Sequence, residues 1–95
     1  MWKSVGGKLN TWAQEDNGMT SVRLYDTTIV KYNKDTITLN AGSWKTVTTK
    51  RRMNQVSDTH KLYFRIFQAK NVWYVNYGEH LHEFENGMEL KRNAI

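Results

Sequence analysis

From Thr20 onward, apolar residues recur at every second position: Val22 and Leu24, Val30 and Tyr32, Ile37 and Leu39. That is the period of half-buried strands, whose successive side chains point to opposite faces. A two-residue loop at Lys34-Asp35 sets Tyr32 opposite Ile37 and Val30 opposite Leu39, so all four share one face. A three-residue loop at Asp26-Thr27-Thr28 sets Leu24 opposite Val30 and Val22 opposite Tyr32. Loop length and hydrophobic pattern agree, which predicts a three-stranded meander. Its reverse face would carry Arg23, Tyr25, Ile29, Lys31, Thr38 and Asn40. Arg23 and Lys31 then become cross-strand neighbours, a mildly repulsive pair unless an anion lies between them.

Ala41-Gly42-Ser43 ends the meander. The segment from Lys50 to Val56 is the best helix candidate, placing one short helix near residues 49–58 with Thr48 or Thr49 as its N-cap. Its apolar stripe is thin, Met53 and Val56 with His60 as an extension, so it needs tertiary packing to persist. The last third returns to strands. A two-residue loop at Lys70-Asn71 pairs Phe64 with Tyr77, Ile66 with Val75 and Gln68 with Trp73, collecting Phe64, Ile66, Trp73, Val75 and Tyr77 as a core face. The opposite face shows Tyr63, Arg65, Phe67, Val72, Tyr74 and Asn76. A short strand around Leu81–Phe84 follows the turn at Gly78. Asn86-Gly87 turns the chain again, and Met88 and Leu90 supply the last core contacts. The order βββ-α-βββ defines an α+β fold, mostly β and antiparallel.

Residues 1–19 read as an N-terminal arm and residues 20–92 as a single β-rich domain. Gly6-Gly7 and Asn17-Gly18 are turn signals, Leu9, Trp12 and Ala13 suit one helical turn, and Trp2 or Trp12 would pack the arm on the domain.

Composition fits one small domain. The chain has 95 residues, 39% hydrophobic and 13% aromatic, so its core must lean on rings that each bury roughly 150–250 Å². Cysteine is absent, which removes disulfides and thiolate metal sites. No apolar run approaches the roughly 20 residues of a membrane helix, and a soluble protein without a membrane partner is expected. The net charge of +5 is unevenly spread. Residues 20–70 hold ten Lys/Arg against three Asp, giving +7, whereas residues 71–95 hold two against four Glu, giving −2. A basic middle favours nucleic acid or an acidic protein surface as partner.

The stretch Lys45, Thr46, Thr48, Thr49, Lys50, Arg51 and Arg52 is the most informative. A helix start presents unpaired N–H groups and a positive dipole end, where carboxylates stabilise and cations do not. Cations without an acid there make sense if an anion binds, with the Thr hydroxyls and backbone amides as further donors. The alternative is a solvated helix end whose Lys and Arg stems cover Trp44. Arg23 and Lys31 form a secondary basic face. Tyr63, Arg65, Phe67 and Tyr74 interleave rings with a cation as base-stacking sheets do, although packing beneath the helix is the favoured reading. His80 and His82 share one side of a strand, but a metal would need a third ligand and His60 is the only other histidine. No metal or other cofactor is expected. There is no nucleophile elbow or glycine-rich phosphate loop, so an enzyme is the weakest class.

The run Leu39-Asn40-Ala41-Gly42-Ser43-Trp44-Lys45-Thr46-Val47-Thr48-Thr49-Lys50-Arg51-Arg52-Met53-Asn54 resembles a family of small tailed-bacteriophage proteins whose members share a TLNxGxWxTxTTKxRxN core ahead of an aromatic hairpin. Phe64–Gln68 and Val72–Val75 match that hairpin, and Thr27-Thr28-Ile29-Val30 also fits. Ala41 departs from the commoner glycine or serine. The resemblance implies a phage origin and a host-cytoplasmic setting, and no substrate. Three functions are then open: an accessory protein that binds nucleic acid or another polyanion through the basic helix start, an inhibitor or adaptor of a host protein, or a minor virion component.

Overall fold

The computed structural model describes residues 2–4, 10–43 and 45–92. Among the described residues, nine strands and one helix enclose a single core. Strands β1 (Lys3–Ser4), β2 (Thr11–Asp16), β3 (Met19–Leu24), β4 (Thr27–Tyr32) and β5 (Thr36–Leu39) precede helix α1 (Val47–His60). Strands β6 (Phe64–Ala69), β7 (Val72–Tyr77), β8 (His80–Glu83) and β9 (Met88–Lys91) follow it. One sheet runs β1-β2-β3-β4-β5-β9 and the other β6-β7-β8, with every pairing antiparallel. The fold is thus α+β and mostly β, as the pattern predicts.

The aromatic hairpin forms in the predicted register, with Phe64 opposite Tyr77, Ile66 opposite Val75 and Gln68 opposite Trp73. Lys70 and Asn71 both take positive φ, 52° and 67°, which matches the twist of a two-residue hairpin turn. Phe64, Ile66, Trp73 and Val75 are buried, and Tyr77 packs against them. The predicted pairs Val30–Leu39 and Tyr32–Ile37 also form.

The preceding hairpin differs. Its loop is the two residues Tyr25-Asp26, with Leu24 opposite Thr27, and Val22 faces Val30 rather than Tyr32. The register shifts between Val22 and Arg23, which places Ile29 as an extra residue on β4. That bulge turns Ile29 into the core beside Val30, so Ile29 does not belong to the reverse face. Tyr25 holds the turn at φ 53° while its N–H donates to the Asn10 carbonyl.

The N-terminal region also departs from expectation. Trp12 and Ala13 lie in β2, not in a helical turn, because Asn17-Gly18 at φ 53° and 80° folds β2 back along β3. Leu9 lies outside the described residues. The ring of Trp2 is covered by the Arg23 guanidinium, 4.4 Å from its centroid. Met88 and Leu90 do more than touch the core. They belong to β9, which pairs with β5 through Ile37 and Leu90. The Asn86 side chain fixes that return, accepting from the Ala41 N–H and donating to the Gly42 carbonyl.

Helix α1 starts earlier than predicted. Thr46 is the N-cap, its hydroxyl accepting from the Thr49 N–H at 3.2 Å, and Thr48 and Thr49 lie inside the helix. Thr49, Met53, Val56 and Ser57 are its buried face. Lys61 ends it in the left-handed conformation. The helix packs its buried face toward β3 and β4 of the larger sheet and runs along the free edge of β6 in the smaller one. Asn54 donates to the Ile66 carbonyl at 2.9 Å and accepts from the Ile66 N–H at 2.7 Å. Ser57 serves both backbone groups of Phe64 in the same way, at 2.7 and 2.9 Å. Two side chains one helical turn apart therefore close the backbone groups that an edge strand leaves open.

Candidate nucleic-acid interface

The shift of the cap from Thr48 or Thr49 to Thr46 changes the chemistry of the helix start. With Thr46 as cap, Lys50, Arg51 and Arg52 fall beyond the first three helical positions, where the free amides are. The Thr46 and Thr49 hydroxyls are also engaged with each other at 3.1 Å, and Thr49 is buried. The exposed Thr48 stays free of such a bond among the described residues. A cleft of about 510 Å³ does open beside Thr46, Thr48 and Thr49, but Asp26 and the apolar Leu24 and Ile29 share its walls. That is a poor setting for an anion.

The cations are instead distributed around the helix. Lys45 and Lys50 flank the Trp73 ring, their ammonium groups 5.5 and 5.8 Å from its centroid, and Lys50 donates to the Gln68 side chain at 3.2 Å. Arg51 is exposed, whereas Arg52 is half-buried and donates to Gln55 at 3.1 Å. Trp44, the ring that these stems were expected to cover, lies outside the described residues. Lys50, Arg51, Arg52 and Arg65 line one shallow groove on the outer side of α1, with Asp58 as the acid among its described lining residues. Asp58 pairs with Arg65 at 3.1 Å. With both side chains more than half exposed, water screens that pair and it holds the fold only weakly.

The outer face of β6 and β7 is open. The favoured packing of this face beneath the helix does not occur, because Asn54 and Ser57 fasten α1 to the edge of β6 instead. Tyr63 is 77% exposed and Phe67 38%. Phe67 stacks on Tyr74 directly across the hairpin, with centroids 5.6 Å apart and planes 25° apart. Arg65 lies two residues from Phe67 on the same face, so the basic groove and the ring pair adjoin. Cations for a phosphate backbone beside rings for bases are the two parts of a single-strand platform.

Arg23 and Lys31 do not oppose each other. The β4 bulge sets Arg23 against Thr28 and Lys31 against Ser21, and Arg23 is occupied by Trp2. Both still share the reverse face, with Lys31 opposite Ser21 and so diagonal to Arg23 across β3 and β4.

Sequence reasoning missed the contact between Tyr32 and His60. The Tyr32 hydroxyl and His60 Nδ1 are 2.6 Å apart, and the Arg92 guanidinium sits 5.5 Å from the Tyr32 centroid. Burial lowers the His60 pKa below its ordinary 6.5, favouring the neutral ring that can accept from the tyrosine. The patterns put Tyr32 and His60 on the inward faces of their elements, but pattern alone does not pair them.

His80 and His82 are exposed on β8, ring centroids 6.3 Å apart. Among the described residues, no group of three or more His, Cys, Asp or Glu side chains is placed to hold a metal ion. No described helix is long and apolar enough to cross a membrane.

Neither a curated protein nor a solved structure matches the chain. The family model described as Kyanoviridae Gp96 protein matches residues 2–91, from Trp2 ahead of β1 to the end of β9. The chain therefore belongs to the Kyanoviridae Gp96 family of bacteriophage proteins.

Proposed function

We propose that this phage protein binds nucleic acid, laying a strand along the seam between α1 and the outer face of β6 and β7. The observation that carries the reading is the Phe67–Tyr74 ring pair, Phe67 exposed and Tyr74 half-buried, on the face of Arg65, which shares a groove with Lys50 and Arg51. The guanidinium and ammonium groups take the phosphates while the rings receive bases, a combination that tolerates any sequence. Such a strand would be encountered in the host cytoplasm. The shift of the helix cap moves the proposed contacts from the helix start to this seam. Lys50 and Arg51 remain, Arg65, Phe67 and Tyr74 join them, and the Thr hydroxyls recede.

Fluorescence anisotropy with labelled single- and double-stranded DNA and RNA at low salt tests the reading. Binding that favours single strands and weakens when Phe67 and Tyr74 are replaced by Leu supports it. The absence of binding to all four ends it.

A protein partner is the second reading, favoured by Tyr63 at 77% and Leu81 at 61% exposure on the surface that Arg65 shares. A stoichiometric partner that survives nuclease treatment in a pull-down from host lysate would replace nucleic acid as the ligand.

A further inference from the structure

We propose that His80 and His82 form one half of a Zn²⁺ site, completed by the same two residues of a second copy paired edge to edge through β8. This goes beyond the nucleic-acid reading and does not rest on it. The two edges of the three-stranded sheet are treated differently. The β6 edge is closed by Asn54 and Ser57, whereas no described strand pairs with the outer edge of β8, and all four of its residues are exposed.

Backbone alternation fixes which groups that edge offers. Phe64 and Ile66 turn their N–H and C=O groups outward to the helix, so Arg65 and Phe67 bond to β7. Across β7 the alternation makes Tyr77 and Val75 bond to β8, and the Phe84 N–H to Trp73 carbonyl bond at 2.9 Å continues that series. His80 and His82 therefore spend their backbone groups on β7, while Leu81 and Glu83 turn theirs outward.

Two identical strands that extend one sheet in antiparallel fashion are related by a two-fold axis normal to the sheet, and opposed residues must share a face. A two-fold through Leu81 satisfies both conditions. It opposes Leu81 to its counterpart as a hydrogen-bonded pair, and it opposes His80 to His82 of the second copy as a non-bonded pair. Side chains approach most closely in such pairs, with Cβ atoms about 4.5–5.5 Å apart. Four imidazoles then gather on one face.

Each chain alone supplies only two ligands, as the described residues show. Two imidazoles on one Zn²⁺, at Zn–N of about 2.0–2.1 Å, have centroids about 5 Å apart. The observed 6.3 Å needs only small rotations of two exposed rings. On the opposite face the same register sets Glu79 against Glu83 of the second copy, twice over. Like charges directly opposed disfavour pairing. The divalent ion on the histidine face offsets that repulsion, which makes dimerisation conditional on metal.

Sedimentation velocity on the full chain, with half an equivalent of ZnCl₂, with excess Mg²⁺ and with EDTA, tests this. The expected result is a doubling of mass with Zn²⁺ alone, reversal by EDTA, and one Zn²⁺ per two chains by calorimetric titration. The doubling should be lost in His80→Ala/His82→Ala, whose far-UV circular dichroism stays unchanged because both side chains are exposed. A monomer under Zn²⁺, a dimer that survives EDTA, or a Zn²⁺ dimer that persists in the double variant would each overturn the proposal.

Discussion

Asn54 stands in for a missing strand at Ile66: its amide both donates to the carbonyl and accepts from the N–H of that one residue, at 2.9 and 2.7 Å. This bond pair, repeated by Ser57 at Phe64, explains how a helix with a thin apolar stripe stays attached. It also explains why the outer face of β6 and β7 is left uncovered. The stability of the helix and the exposure of the candidate interface thus have one cause.

Asn54→Ala should be costly. It removes two bonds and leaves the Ile66 N–H and carbonyl without partners, at about 1–3 kcal/mol for each orphaned group. Urea denaturation should show a loss of about 2 kcal/mol or more, and Ser57→Ala a comparable one. Asn54→Asp should not rescue it, because a carboxylate accepts from the N–H but repels the carbonyl.

Replacing threonines one at a time tests the reassigned cap. Thr46→Ala should destabilise by about 1 kcal/mol through loss of the bond to the Thr49 N–H. Thr48→Ala should stay within about 0.5 kcal/mol of the native chain, since Thr48 is exposed in the first turn. The midpoints of chemical denaturation distinguish the two.

The burial of His60 predicts a pH response. The folded-state pKa of His60 lies below 6.5, so the unfolded chain binds the proton more readily. The contribution of this group to stability is complete above pH 6.5 and is lost as pH falls through the lower folded-state value. Thermal melts from pH 7.5 down to pH 5 should therefore show a steeper decline for the native chain than for His60→Gln, a comparison that isolates this histidine from the carboxylates.

Ring stacking should contribute beyond charge. If Phe67 receives a base, Phe67→Ala weakens oligonucleotide binding by about 1–3 kcal/mol with little change in its salt dependence. Anisotropy titrations at several salt concentrations read both quantities.

How much was legible in the sequence follows from where information is local. The aromatic hairpin was readable because Lys70-Asn71 fixes a two-residue turn, and every pair from Phe64–Tyr77 to Gln68–Trp73 follows from it. The β4 bulge was not readable, since strict alternation assigns Ile29 outward and only the packed sheet shows it turned in beside Val30. Strand β9 joins β5 across the helix and the second sheet, a long-range pairing that no local pattern announces. The pattern puts the cap at Thr48 or Thr49 rather than at Thr46 because residue type alone does not say which hydroxyl reaches an amide three residues on. Of the candidate site, the residue types were visible in Lys50, Arg51, Arg65, Phe67 and Tyr74. Their adjacency was not, because both faces of the β6–β7 hairpin carry rings, and which face lies open depends on how Asn54 and Ser57 dock the helix.

The most direct test of the central claim is the salt dependence of binding to a single-stranded oligonucleotide. Each phosphate neutralised contributes about −0.7 to the slope of log K against log salt concentration. The native chain should show a steep negative slope, and Lys50→Ala/Arg51→Ala/Arg65→Ala should lower affinity and flatten that slope by about 2. An unchanged slope in the triple variant, with the fold intact by circular dichroism, would contradict the assignment of the seam between α1 and β6 as the nucleic-acid surface.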